Sequence, residues 1–198
     1  FYLLFVMISL IMADKVKTKK VILEPHPTLH QKCKEADPKS RAIKDLLATM
    51  RATLKEWEEG ETRYVSVGLA APQIDEPWQV VLIRCDFNNY DKKDFYALIN
   101  PQITKYEGAP IQDDESCMSV HGVHAKVPRY PKIKVKALDE EGNEISFTAR
   151  GYEAKVIQHE VDHINGLLFL DRALTEQQGG YFREYDPQTD QVIEIGQQ

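Results

Sequence analysis

The chain has 198 residues, 42% of them apolar, which suffices to bury one substantial core in a single domain. A net charge of −6 and a pI near 5.6 exclude a surface built mainly to read nucleic acid. Three cysteines without framework spacing exclude a disulfide scaffold and fit a reducing compartment, the cytoplasm.

In chain order, Phe1 to Met12 is almost wholly apolar, but it is too short to span a bilayer and lacks a basic flank. Residues 1–20 are therefore expected to be an extra N-terminal segment outside the fold, with Met12 or Met7 as the natural start, and no stable membrane span is expected. The lack of arginine in this segment disfavours a transit peptide. Cys33 lies in a polar, lysine-rich stretch and reads as incidental. Asp37-Pro38 reads as an N-cap followed by proline at the first helical position. Ile43, Leu46, Leu47, Met50, Leu54 and Trp57 then keep helical spacing as far as Gly60, which predicts an amphipathic helix packed on the core.

Val67-Gly68-Leu69-Ala70-Ala71-Pro72-Gln73 is a run of small residues ending in a proline and an amide. Alone it is most simply a tight strand-to-loop transition. Small side chains also admit an extended peptide against the backbone, and Gln73 could aim an N–H at a developing oxyanion. Strand-like runs follow at 79–85, with Cys85 read as a small core residue, and at 95–99, separated by the solvated loop Asp91-Lys92-Lys93-Asp94. Ile133, Val135 and Ala137 alternate with lysines, and Ile145, Phe147 and Ala149 follow a turn at Gly142-Asn143, which predicts an antiparallel hairpin.

Tyr152 to Asn165 is predicted as a helix, with Gly166 placed for a left-handed C-terminal cap. It carries His159-Glu160-Val161-Asp162-His163, two histidines four residues apart and so on one helical face, within reach of one metal ion. Glu160 can then stand beside an open coordination position as a general base. Val156, Ile157, Val161, Ile164 and Leu167 surround the segment with apolar residues, and buried histidines need partners. A solvated helix without metal is the bland alternative. A catalytic ion wants a third protein ligand, and no His or Cys follows His163. The remaining candidates are Cys33, Cys85, Cys117, His26, His30, His121, His124 or a carboxylate, of which Cys117 stands out by its setting, Glu115-Ser116-Cys117-Met118-Ser119. Separate strands and two main helices without βαβ alternation give an α+β class. Antiparallel strands should pack around a central metal-binding helix, with one further amphipathic helix near the N-terminus. Residues 173–198 read as a polar tail with one strand-like patch, Val192-Ile193-Glu194-Ile195.

Taken together, Ser66 to Gln73, Glu115 to Ser119 and Gln158 to His163 resemble, in order, the three motifs of the peptide deformylase family. Pro25-His26-Pro27-Thr28-Leu29 and Gly166 to Arg172 match as well, so the resemblance runs from about Val21 to Arg172. It implies one divalent metal ion per chain, Fe(2+) with Zn, Ni or Co as substitutes, held by Cys117, His159 and His163 with a water as fourth ligand. It further implies Glu160 as the base, with Gln73 and the Met118 backbone N–H as oxyanion donors. Nascent N-formylmethionyl polypeptides would be the substrate, with the ribosome as a candidate partner, formate as product and no direct reading of nucleic acid. Val67, Tyr152 and Val156 would receive the methionine side chain, while Val67, Gly68 and Leu69 offer backbone to the peptide. Ser66 stands where the family has glycine, which would strain the strand if that position needs positive φ. Rival readings are a metal-dependent endopeptidase built on the same pentad and a non-catalytic protein with a structural metal. An open fourth position beside Glu160 argues against the second.

Overall fold

The computed structural model describes residues 16–60, 65–186 and 191–195. The expectation for residues 1–20 falls for the most part on 1–15, outside the described residues. Lys19, expected to lie outside the fold, is held by it: its backbone N–H donates to Thr53 Oγ1 (2.9 Å) and its ammonium meets Glu76 (2.6 Å). Among the described residues, no helix is long and apolar enough to cross a membrane.

Helix α1 spans Arg41–Gly60 and buries Ile43, Leu46, Leu47, Met50 and Leu54 of the predicted stripe, with Trp57 only half-buried. Its start differs from expectation. Ser40 Oγ accepts the Ile43 N–H (3.3 Å) and so caps the helix, whereas Asp37 accepts from Lys39 N–H (3.0 Å) in a turn just before it.

Five antiparallel strands form one sheet in the order β1 (Gly68–Ala70), β2 (Val80–Arg84), β3 (Phe95–Glu107), β6 (Lys132–Leu138), β7 (Glu144–Arg150) among the described residues. Strand β2 explains the layering. All five of its residues are buried; Val81 and Ile83 join the cluster containing Val156, Ile157 and Ile164, while Val80 and Leu82 join the one built on α1. A strand covered on both faces reads as a continuous apolar run rather than an alternation. The predicted hairpin is β6–β7, with Ile133 opposite Ala149 and Val135 opposite Phe147. Strand β3 runs past the expected end at Ile99, because Asn100 adopts φ 51° and the strand changes partner there from β2 to β6.

A second sheet, order β4 (Ile111–Cys117), β5 (Val120–Arg129), β8 (Phe182–Asp186), β9 (Gln191–Ile195), was not expected beyond its last strand. The residues read as a tail pair with β5 through Val123–Glu184 and Ala125–Phe182. Strands β4 and β5 join through Met118-Ser119, and between Glu115 and Cys117 the register shifts, so that two steps along β4 are matched by five along β5. Such a bulge re-aims the side chains beyond it, here Cys117.

Helix α2, Gly151–Ile164, carries the histidine pentad within one residue of the predicted ends. Its C-terminus closes as a Schellman motif: Leu167 N–H donates to Asp162 C=O (3.0 Å) and Gly166 N–H to His163 C=O (3.1 Å). Gly166 sits at φ +77°, and a Cβ there would come within 2.8 Å of the Gln31 backbone. We predict that Gly166→Ala lowers stability by at least about 1–2 kcal/mol, the cost of a left-handed non-glycine residue, plus what the backbone contact adds. Urea denaturation reads this directly, and an unchanged midpoint would count against it.

Candidate metal centre and active site

Cys117 at the end of β4 and His159 and His163 on α2 come together beneath the β1 edge. One donor atom from each lies within 4.8 Å of the others, the sole such His/Cys/Asp/Glu group among the described residues. Cys117 Sγ is 3.3 Å from His163 Nε2. One thiolate and two imidazoles form a donor set suited to a first-row transition metal, so the residues fit a metal-binding site. The other candidates stand apart. His26 caps a 3-10 turn by accepting the Thr28 N–H (3.3 Å), and His30 pairs with Glu24 (2.7 Å). His121 and His124 lie on β5 outside the group. Of the two remaining cysteines, Cys33, read as incidental, is a core residue, and Cys85, read as a core residue, is not. Cys33 is 4% exposed in the core, its N–H donating to Ile164 C=O (2.9 Å), whereas Cys85 is exposed where β2 leaves the sheet.

Each histidine has a different second nitrogen. His159 Nδ1 lies 3.0 Å from Glu115 Oε2, which turns its Nε2 toward the ligand group. His163 Nδ1 has no partner among the described residues. Burial opposes charging His159, but its hydrogen bonds with Cys117 and Glu115 win and raise its pKa. Burial, followed by the charges of His159 and Arg129, drives His163 well below the ordinary imidazole value and keeps it neutral.

Glu115 belongs to a network that sequence reasoning missed. The Arg129 guanidinium donates to Glu115 Oε1 (2.8 Å) and Oε2 (3.0 Å) and to Asp162 Oδ2 (2.5 Å), and Arg172 adds a contact to Asp162 Oδ1 (3.0 Å). Burial pushes Glu115 up, but the hydrogen bonds of His159 and Arg129 overcome it and bring the carboxyl down to about 2. The available signal was position: Glu115 precedes Cys117 by two residues on a strand, and Asp162 adjoins His163.

Glu160 behaves in the opposite way. Burial raises it to about 7, and its Oε2 has no partner among the described residues. Its Oε1 lies where a Cβ on Gly68 would stand, at 2.5 Å, so β1 can pass the carboxylate only as glycine. Gln73, in the 3-10 turn Ala71–Ile74, accepts the Ala70 N–H at Oε1 (2.8 Å), which turns its NH₂ toward Cys117 Sγ (3.4 Å) and Ser119 Oγ (3.3 Å). The incoming chain ties both elements: Ile22 N–H donates to Gln73 C=O (2.8 Å) and Glu24 N–H to Ser119 C=O (2.8 Å). Ser66 is not at positive φ; it is buried and its hydroxyl donates to Glu58 Oε1 (2.8 Å). Val67 and Val156 meet in one core cluster, and Tyr152, 43% exposed, packs edge-on against Phe87 at 5.2 Å.

The fold and this site define an α+β protein whose candidate metal site takes its cysteine from β4 and its two histidines from α2. Residues 18–178 match the family model described as polypeptide deformylase. A peptide deformylase of Staphylococcus epidermidis is 38% identical over 165 residues, 79% of this chain and 90% of the relative. The crystal structure of a peptide deformylase from Legionella pneumophila aligns with a TM-score of 0.70 at 31% identity, covering 82% of this chain and 90% of that one. That from Thermotoga maritima gives 0.70 at 27% identity, covering 80% and 99%. The chain belongs to the polypeptide deformylase family, enzymes that remove the formyl group from the N-terminus of newly made polypeptides. No observation favours the endopeptidase alternative.

Arg129 is the least replaceable side chain of this centre by electrostatics. Arg129→Met leaves two buried carboxylates short of their partner, and breaking such pairs costs about 3–5 kcal/mol. We expect a loss of that size in denaturant melts of the metal-free protein, and a loss under about 1 kcal/mol would mean that water screens the pair.

Proposed function

We propose that Cys117, His159 and His163 hold one divalent ion, ferrous in the native enzyme and replaceable by zinc, nickel or cobalt, and that Glu160 is the proton carrier beside it. The observation that carries this is the buried Glu160 carboxylate, raised to about 7 with one unpartnered oxygen, on the same helix as two ligands. When bound, the metal supplies a Lewis acid that acidifies water and polarises the formyl oxygen. Glu160 takes one proton from that water as its oxygen bonds to the formyl carbon. The negative charge forming on the formyl oxygen receives N–H donors from the Gln73 side chain and the Met118 backbone. Glu160 then returns the proton to the departing amine nitrogen as the carbon–nitrogen bond breaks, leaving a free N-terminus and formic acid, which gives up its remaining proton to become formate.

The peptide itself is read by β1. Among the described residues, Gly68, Leu69 and Ala70 pair with β2 on one side only, which leaves an edge for an extended substrate alongside Val67, Gly68 and Leu69. Val67, Val156 and Tyr152 form the apolar seat for the methionine side chain. The catalytic domain is the segment from about 21 to 172. Its setting is the cytoplasm, and its substrate is met as nascent chains leave the ribosome.

An anaerobic assay for formate release from a formyl-Met peptide, with metal measured in the same sample, tests the reading. The wild type should release formate with one metal per chain and leave internal bonds intact; internal cleavage at least as fast would sink it. Cys117→Ala should lose both metal and activity, while Cys85→Ala keeps both and Cys33→Ala does so at some cost in stability, since Cys33 is a core residue. Stoichiometric metal in Cys117→Ala would remove that thiol from the ligand set. Glu160→Gln should bind metal and lose about 10²–10⁴ in rate.

A further inference from the structure

Helix α2 and strand β4 meet as a ladder. Cys117 Sγ faces His163 Nε2 at 3.3 Å, Glu115 Oε2 faces His159 Nδ1 at 3.0 Å, and Asp113 Oδ2 faces Lys155 Nζ at 2.7 Å. The strand advances two residues per rung, about 6.6 Å. The helix advances four, about 6 Å. The steps match closely enough for three consecutive rungs to form. The first two rungs contain the metal ligands and the carboxylate that orients His159. The third contains neither, yet it is built: the Lys155 ammonium also donates to Asp114 C=O (2.6 Å), its side chain is only 16% exposed, and it lies 5.6 Å from the Tyr152 ring centroid. A lysine needed only for solubility would extend into water.

We propose that the Lys155–Asp113 pair is a positioning element for the ligand set, fixing the register of β4 on α2 so that Cys117 and Glu115 arrive opposite His163 and His159. This rests on the reading of Cys117, His159 and His163 as metal ligands. Strand β4 needs such a lock because its outer part is exposed: residues Ile111 to Asp114 are all at the surface, so burial does not hold them. The register shift between Glu115 and Cys117 also loosens the pairing with β5 at the point where the thiol must be aimed. Lys155 grips the strand on the far side of that shift by both a carboxylate and a backbone carbonyl.

The test uses full-length protein loaded with cobalt, whose thiolate absorption reports the Cys117 bond, and follows release of the ion to excess chelator. Lys155→Met and Lys155→Glu should release cobalt about two- to tenfold faster than wild type, between the worth of an exposed ion pair and that of a group touching a ligand directly. The charge swap Lys155→Glu with Asp113→Lys should return the rate to within about twofold of wild type. Wild-type release rates in both single variants, or a swap no slower than Lys155→Glu alone, would overturn the proposal. A wild type that takes up no cobalt refutes the ligand reading instead. The rung is then read from the alkylation rate of Cys117 in the metal-free protein, with exposed Cys85 as internal reference. A Cys117 rate that does not rise in Lys155→Met equally overturns the proposal.

Discussion

Everything at this centre depends on one buried guanidinium. Arg129, the last residue of β5, is 6% exposed and holds Glu115 of β4 and Asp162 of α2 at once, so it joins the second sheet to the histidine helix. Arg172 shares Asp162 from the surface, giving two cations and two carboxylates with no net charge. Such clusters rarely add stability over an apolar core, because removing three of these charges from water costs about what the attraction returns. Their gain is definition. Glu115 is kept anionic and aimed at His159 Nδ1, which leaves the other ring nitrogen for the group formed with Cys117 and His163.

The same centre keeps a second buried carboxyl in the opposite state. Glu115 and Glu160 are both almost wholly removed from water, yet one is drawn down to about 2 and the other lifted to about 7. Partners decide it: Glu115 has a guanidinium and an imidazole, whereas Glu160 has an oxygen without a partner among the described residues and a glycine pressed against it. Environments that push two carboxyls apart suit one to a fixed charged role, here the hydrogen bond to His159, and the other, in the proposed reaction, to carrying a proton. Gly68 serves both ends of this arrangement, since it admits the Glu160 carboxylate and leaves the β1 edge close to it.

What could be read from the sequence was local. The α1 stripe, the β6–β7 hairpin and the α2 helix with its glycine cap follow from periodicity and turn chemistry within single segments. The second sheet was hidden because the first four residues of β4 are exposed, so no alternation marks it, and because β8 is defined by pairing with β5 some sixty residues away. Cys33 and Cys85 were misjudged for the same reason. Local polarity made Cys33 look incidental, but its backbone bond to the end of α2 draws it into the core; local apolarity put Cys85 inside, but the strand ends one residue earlier. Ser66 follows suit: its partner Glu58 lies on α1, so nothing adjacent in sequence announces that the hydroxyl is satisfied. The candidate ligands Cys117, His159 and His163 were visible as motifs, while the Arg129 network around Glu115 and Asp162 was not, being assembled from β4, β5, α2 and the turn after it.

Gln73 shows how the arrangement can favour a transition state over a resting one. Its carbonyl is fixed by the Ala70 N–H at 2.8 Å, so the amide cannot flip, and both N–H groups are occupied, by Cys117 Sγ at 3.4 Å and Ser119 Oγ at 3.3 Å. The contact to Ser119 is longer than a good N–H···O bond and joins two neutral groups, so it is weak. An oxyanion forming nearby would attract the same hydrogen by a charge-assisted bond roughly twice as strong. In the proposed reaction the donor therefore exchanges a poor acceptor for a good one as charge develops, while the backbone bond to Ala70 keeps it from moving. Binding that strengthens only as charge appears lowers the barrier without tightening the ground state, which is the condition for catalysis rather than retention of the formyl peptide.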